Sequence, residues 1–336
     1  GDLKTCREVL DSQTGKMKDG LFPNMGEAGN YAFNSVDAPL WFIWAVQQYI
    51  NAGGKDGWTR YGDAVVQVIK AYISGTDYNI GMHDNGLIYA GTKDKALTWM
   101  DAVISSGPVT PRTGYNVEIN ALWYNALCFA GEHSGRINDK EFAALITDLP
   151  GKVKSSFISY FWDEKLKYLA DYVQADGSRN MFVRPNMLIA ASLQYTMLER
   201  DMIKSILDVA ESELLTARGL RTLAPKNPNY EGVYRGMQEQ RDAAYHQGTV
   251  WPWLIGPYAE ACLRLYGERG IKQVSRIIRQ FEDVMDEHGV STISEVYDGD
   301  PPHMPGGAIS QAWSVAEILR IIDLMDQVSV KKKFTG

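Results

Sequence analysis

The chain has few of the residues that build disulfide or metal frameworks. Among 336 residues there are three cysteines, Cys6, Cys128 and Cys262. They are odd in number and far apart, which argues against a disulfide-stapled scaffold or a zinc knuckle and suggests a reducing compartment, the cytoplasm. The five histidines, His83, His133, His246, His288 and His303, contain no i, i+4 pair, so no zincin-type site is visible and no metal is expected. No apolar run approaches the roughly 18 residues of a membrane span. The first residues lack a basic-plus-apolar secretion signal, although Gly1 leaves room for a removed leader. Basic charge is also short. With 34 Lys and Arg against 41 Asp and Glu, the net charge is −7 and the pI about 5.4. A nucleic acid or an anionic membrane surface calls for a basic stripe, so neither is expected as a partner. There is no phosphate loop ending in Gly-Lys-Ser/Thr, and Gly306-Gly307 reads as a turn.

What is present is apolar and aromatic. The composition is 45% hydrophobic and 22% charged, enough for a sizeable core. The length exceeds the usual domain of about 100–200 residues, but no linker composition interrupts it, so residues 1–336 are read as one domain. Nine Trp and 18 Tyr are present, many of them in loops or at helix starts. Aromatic faces there stack on sugars and other flat ligands, or fill the core.

Along the chain, a helix tail at 3–10 ends near Gly15 and a loop fills 19–36. Asp37 then stands at the cap position of a helix with Pro39 in its first turn, which Gly53-Gly54 stops. Its apolar stripe is Leu40, Trp41, Trp44, Ala45, Tyr49 and Ile50. A second helix spans about 59–73, and Asp84-Asn85-Gly86 signals a hairpin. Pro108, Pro111 and Gly114 keep 101–115 out of helix, and Asn116 or Thr113 caps the next, which runs to about Gly131. Further helices fall at 138–160, interrupted by Pro150-Gly151, and at 184–198, 200–216, 249–266, 269–287 and 310–325. A short strand is expected within 167–173, irregular chain at 217–245 and 288–308, and a basic tail at Lys331-Lys332-Lys333. Loop-preceded helices alternate with plainer amphipathic ones. The expected fold is therefore all-α, an (α/α)₆ toroid-like barrel of about ten recognisable helices, with small β-hairpins in the loops.

Three acids sit in loops or at starts of the presumed inner helices: Asp37, Asp101 and Glu295. In a toroid those starts share one mouth, where distant residues converge. Glycosidic hydrolysis needs a protonated carboxyl at the leaving oxygen and an ionised one to activate water. Trp99 beside Asp101 excludes water and raises an acid's pKa. Each acid has a plainer reading: a helix cap for Asp37, a cap beside a core Trp for Asp101, an oxygen cluster for cation binding around Glu295, Asp298 and Asp300. The run His246-Gln247-Gly248-Thr249-Val250-Trp251-Pro252-Trp253 suits a hydroxyl-rich ligand or a capped helix with core Trp. Arg112 and Glu118 form either a buried pair that shapes the pocket or a solvated one.

Taken together, these stretches resemble the C-terminal amylo-α-1,6-glucosidase domain of glycogen debranching enzymes. The matching runs are Gly20-Leu21-Phe22-Pro23-Asn24, Asn34 to Phe42, Leu97-Thr98-Trp99-Met100-Asp101-Ala102, Pro111 to Trp123, His246 to Trp253, Ser294 to Gly299 and Gln311 to Glu317. The resemblance implies an (α/α)₆ toroid that releases the single α-1,6-linked glucose at a glycogen branch point, by inversion and without cofactor. It implies Asp101 as general acid, Glu295 as general base and Asp37 as a required carboxylate of the glucose subsite. Trp41, Trp99, Arg112, His246 and Trp251 would line that subsite, and Glu118 is counted with them among the substrate-binding residues. The partner would be a branched α-glucan or oligosaccharide. The family's upstream Trp-Gly-Arg-Asp-Thr inner helix has no counterpart here, which implies a piece of a longer protein or a shortened relative, with reduced activity of the isolated chain. Two other readings stand: a different toroidal α-glucosidase, acting on maltooligosaccharide or trehalose, and a glycan-binding module without chemistry.

Overall fold

The computed structural model describes residues 2–27, 29–92 and 94–335. Helix α1 (Leu3–Thr14) is capped by Asp2, whose side chain accepts from the backbone of Lys4 and Thr5. Helices α2 (Ala38–Asn51) and α3 (Gly57–Ser74) follow. The α3 face Ala64, Val65, Val68, Ile69 and Tyr72 is buried at the expected spacing. Tyr72 donates to the carbonyl of Val36 at 2.8 Å, which ties the start of α2 to α3. Helix α4 (Val117–Glu132) buries twelve of its sixteen residues and is central. Helix α5 (Lys140–Phe161) runs unbroken through Pro150. Its buried row of Phe142, Ile146, Leu149, Val153, Phe157 and Phe161 holds it against α4 and outweighs the lost backbone bond.

The chain continues with α6 (Asn186–Ser192), α7 (Arg200–Glu213), α8 (Gln238–Ala244), α9 (Ile255–Tyr266), α10 (Glu268–Glu282) and α11 (Ala312–Thr335). Two expectations need correction here. Helix α6 has only seven residues, all buried, and Leu193 turns extended after it. The stretch 217–245, expected to be irregular, contains α8. The basic tail continues α11, and its side chains lie outside the described residues.

Helices α2, α4, α6, α9 and α11 pack in succession as an inner arc. Helices α1 and α3 back α2, α5 backs α4, α7 backs α6 and α9, and α10 backs α9 and α11. The described helices thus form an arc with an outer layer, not a closed barrel, and helix accounts for about half of the chain. This is less helical than the expected all-α chain, because the loops build several small sheets. The hairpin at Asp84-Asn85-Gly86 forms, pairing Gly81–Met82 with Ile88–Tyr89. Tyr172–Val173 is the strand expected within 167–173, between Tyr115–Asn116 and Arg179–Asn180. A five-stranded antiparallel sheet joins Leu215–Thr216, Gly219–Arg221, Val250–Trp251, Val296–Tyr297 and Pro305–Gly306 in that order. Strands of two or three residues are too short for an alternating pattern, so sequence periodicity does not show them. No described helix is long and apolar enough to cross a membrane.

Candidate active site

A cavity of about 770 Å³ opens where the starts of α2, α9 and α11 meet the loop carrying Trp99 and Asp101. Asp37, Trp41, Trp99, Asp101, His246, Trp251 and Glu295 all line it. It extends along one face of α11, through Trp313, Ala316, Glu317 and Arg320, which recur at helical spacing.

Asp37 occupies the cap position of α2, yet its side chain makes no capping bond. Ser35 takes that task, its hydroxyl accepting from the Ala38 N–H at 3.1 Å and donating to Asp37 Oδ1. The Asp37 carboxylate is therefore left to the cavity wall. Burial pushes its pKa up and the negative charge of Asp101 adds to this, while the Ser35 hydroxyl opposes. Trp41 and Trp44, assigned from sequence to the packed stripe of α2, are half-buried and border the cavity.

Asp101 is open to solvent within the cavity, and the surrounding protein still crowds it enough to raise its pKa. Glu295 stands just ahead of the strand Val296–Tyr297. Its Oε1 accepts from the Tyr245 hydroxyl and its Oε2 from the Ala308 N–H at 2.7 Å. Tyr245 also feels the charge of Asp101, so it stands within electrostatic reach of both acids. Asp298 and Asp300 do not gather around Glu295. Asp298 receives the Tyr234 N–H and pairs with Arg235, and Asp300 accepts from Tyr230. Among the described residues no cluster of three metal-ligating side chains is present.

The aromatic wall is layered. His246 stacks on Trp251 with ring centroids 5.6 Å apart, and Trp99 meets His246, Trp251 and Trp253 edge-on. Neither ring nitrogen of His246 has a partner. Burial, with the nearby Arg184 and Arg112 charges, lowers its pKa to about 3, so it is a neutral imidazole at working pH.

Arg112 and Glu118 form the buried one of the two pairings considered, and neither is among the residues that line this cavity. Both are buried, at 3% and 0% exposure. Arg112 donates from Nη2 to Glu118 Oε2 at 2.7 Å, from Nε to Asp171 Oδ2 at 2.9 Å and from Nη1 to Thr98 Oγ1 at 3.2 Å. Burial works against its charge, but Asp171 and Glu118 more than offset this and hold its pKa up. Asp171 and Arg184, absent from the sequence reading, complete a cluster of two positive and two negative charges. Arg184 donates to the carbonyls of His246 and Thr222.

A family model described as amylo-alpha-1,6-glucosidase matches residues 1–320. The chain belongs to the amylo-α-1,6-glucosidase family. This makes it a member of a glycoside hydrolase family. It is 26% identical over 341 aligned residues to the glycogen debranching enzyme of Saccharomyces cerevisiae, a match that spans 73% of this chain and 22% of the yeast protein. A solved GH78 family rhamnosidase of Bacillus sp. GL1 shares the fold at a TM-score of 0.58 and 15% identity, covering 95% of this chain and 29% of the rhamnosidase.

Besides Arg184, four residues around this glucosidase-family site were missed in the sequence. Tyr245 adjoins a motif but has no pattern of its own. Asp171 and Asn186 are reached only through pairing across many residues. Gly307 had a signal, the Gly-Gly pair, which was read as a plain turn. Its φ is +68°, and a Cβ there would stand 2.4 Å from Glu295 Oε2.

Proposed function

We propose that this chain hydrolyses an α-1,6-linked glucose at the branch point of a glycogen-like limit dextrin, with inversion. The observation that carries the reading is the shared cavity: Asp101 and Glu295, far apart in sequence, both line it, and Tyr245 bonds one and feels the charge of the other. Asp101, whose pKa burial raises, gives its proton to the bridging oxygen as the C1–O bond breaks. Glu295 takes a proton from a water that bonds to C1 on the opposite face. The leaving chain departs as a neutral alcohol, the water oxygen becomes the anomeric hydroxyl, and Asp101 ends ionised with Glu295 protonated. Asp37, the neutral His246 and the Trp41, Trp99 and Trp251 rings would hold the sugar, while Arg112 and Glu118 shape the wall from behind. No cofactor or metal enters this scheme.

The same reading takes residues 1–336 as one domain of (α/α)₆ type. The inner-and-outer pairing of helices and the single buried cluster from Leu10 to Ile321 support it. Three free cysteines fit a reducing compartment, and we place the chain in the cytoplasm.

The test is the anomeric form of glucose first released from a branched limit dextrin, followed by proton NMR. β-Glucose, with loss of turnover in Glu295→Gln and Asp101→Asn, is the expected result. α-Glucose rejects inversion. Release from maltooligosaccharide or trehalose alone reassigns the linkage. Glycan binding without turnover in the folded chain rejects the enzyme reading.

A further inference from the structure

Asn186 opens α6 with no exposed surface, and every polar atom of its side chain is used. Its Nδ2 donates to Asp171 Oδ1 at 2.7 Å and lies 3.4 Å from Met100 Sδ, and its Oδ1 accepts from Trp99 Nε1 at 2.9 Å. A carboxylate only accepts and an indole N–H only donates, so these two partners fix which way the amide points. Asp171 is fixed in turn. Its Oδ2 receives Arg112 Nε at 2.9 Å, its Oδ1 receives Arg112 Nη2 at 3.0 Å, and Arg184 Nε lies 3.6 Å from Oδ2. The chain of contacts therefore runs from two buried arginines through a carboxylate and an amide to the ring that precedes Asp101 by two positions.

We propose that Asp171, acting through Asn186, is a positioning residue that sets the orientation of the Trp99 indole against the reacting sugar. The inference rests on the glucosidase reading for its consequence, not for its geometry. Trp99 is wedged edge-on to His246, Trp251 and Trp253. Apolar packing of that kind restrains the χ1 and χ2 torsions without direction, and the bond from the one polar atom of the ring adds a directed restraint. Thr98 is held by Arg112 from the same cluster, so the backbone ahead of Asp101 and the ring beside it share one anchor.

The experiment uses the full chain with Asn186→Ala, Trp99→Phe and the double variant, read in two ways. The first is the indole N–H spectrum, in which the resonance lost in Trp99→Phe identifies Trp99. That resonance should shift and exchange faster in Asn186→Ala, and a smaller shift should appear in Asp171→Asn. An unchanged Trp99 resonance overturns the brace, whatever the enzyme does. The second is turnover of α-glucosyl fluoride. Asn186→Ala should lower kcat roughly 10- to 100-fold with KM little changed, the scale of a reacting group misplaced by about 1 Å. Because both single variants cut the same bond, the double variant should be no slower than the slower single one. Losses that multiply overturn the proposal. Should Asn186→Ala fail to fold, Asp171→Asn is read alone: the Trp99 resonance identified by Trp99→Phe must shift in it, and an unchanged resonance overturns the proposal. A wild-type chain that leaves α-glucosyl fluoride intact while the resonance still shifts counts against the glucosidase reading and leaves the brace standing.

Discussion

Replacing Gly307 with alanine should cripple turnover while leaving the fold in place. Gly307 follows the strand Pro305–Gly306, which pairs with Val296–Tyr297, and it lies opposite Glu295. The new methyl carbon would stand 2.4 Å from Glu295 Oε2 and 3.0 Å from its Cβ. An ordinary contact begins near 3.4 Å, so the carboxylate must retreat by about 1 Å and lose the Ala308 N–H. A displacement of that size in a reacting group costs on the order of 100-fold in kcat, or roughly 2.7 kcal/mol of barrier. The backbone adds a separate penalty. A side chain at a φ of +68° costs about 1–2 kcal/mol of stability. Gly177 separates the two effects. It has a φ of +85° with nothing within 4 Å of a built Cβ. Gly177→Ala should therefore lower the melting temperature by a similar few degrees and leave kcat alone. The assay is steady-state glucose release at matched folded fraction, with melting followed by circular dichroism. If Gly307→Ala keeps full kcat, Glu295 is not the base, or its position is not set by this contact.

Three other outcomes follow, two from buried charges and one from an exposed pair. Glu118→Gln leaves the buried Arg112 short of a charge and should cost about 3–5 kcal/mol in urea unfolding. Asp208→Asn, which breaks an exposed pair with Lys204, each side chain 56% exposed, should cost under about 1 kcal/mol. Asp37 has a folded pKa above its unfolded value, so its native state holds a proton that the unfolded chain releases first. Its stabilising effect is present below the unfolded pKa of 3.8 and is lost as pH rises through the raised folded value. Asp37→Asn should then melt higher than wild type at neutral pH and gain nothing near pH 3, while glucose release falls. A melting gain that is equal at both pH values would count against the buried acid.

The order of motifs made most of the cavity legible, because each lies at a helix start or in the loops and short strands beside it, and the arc brings these to one mouth. Asp37, Trp99, Asp101, His246, Trp251 and Glu295 converge for that reason. What stayed hidden depends on depth and on partners. Arg112 looked like a wall residue since nothing in its own stretch tells whether it points forward or back, and Asp171 and Arg184, which decide it, lie 59 and 72 positions on. Asp37 matched cap statistics, and only the placement of Ser35 two residues earlier removes it from that duty. Trp41 and Trp44 follow helical spacing whether they meet core or cavity. Helix α6 is buried on every side against α4 and α9, so no amphipathic pattern marks where it ends.

The small sheet that pairs Val250 with Tyr297 also has an evolutionary reading. It splices Trp251 and Glu295 through adjacent hydrogen-bonded strands, so their separation is independent of the forty-odd residues of chain between them. Most of that connecting chain is the packed pair α9 and α10, so insertions confined to 283–294, after α10, can lengthen the chain there without disturbing how the Trp251 ring and the Glu295 carboxylate are spaced.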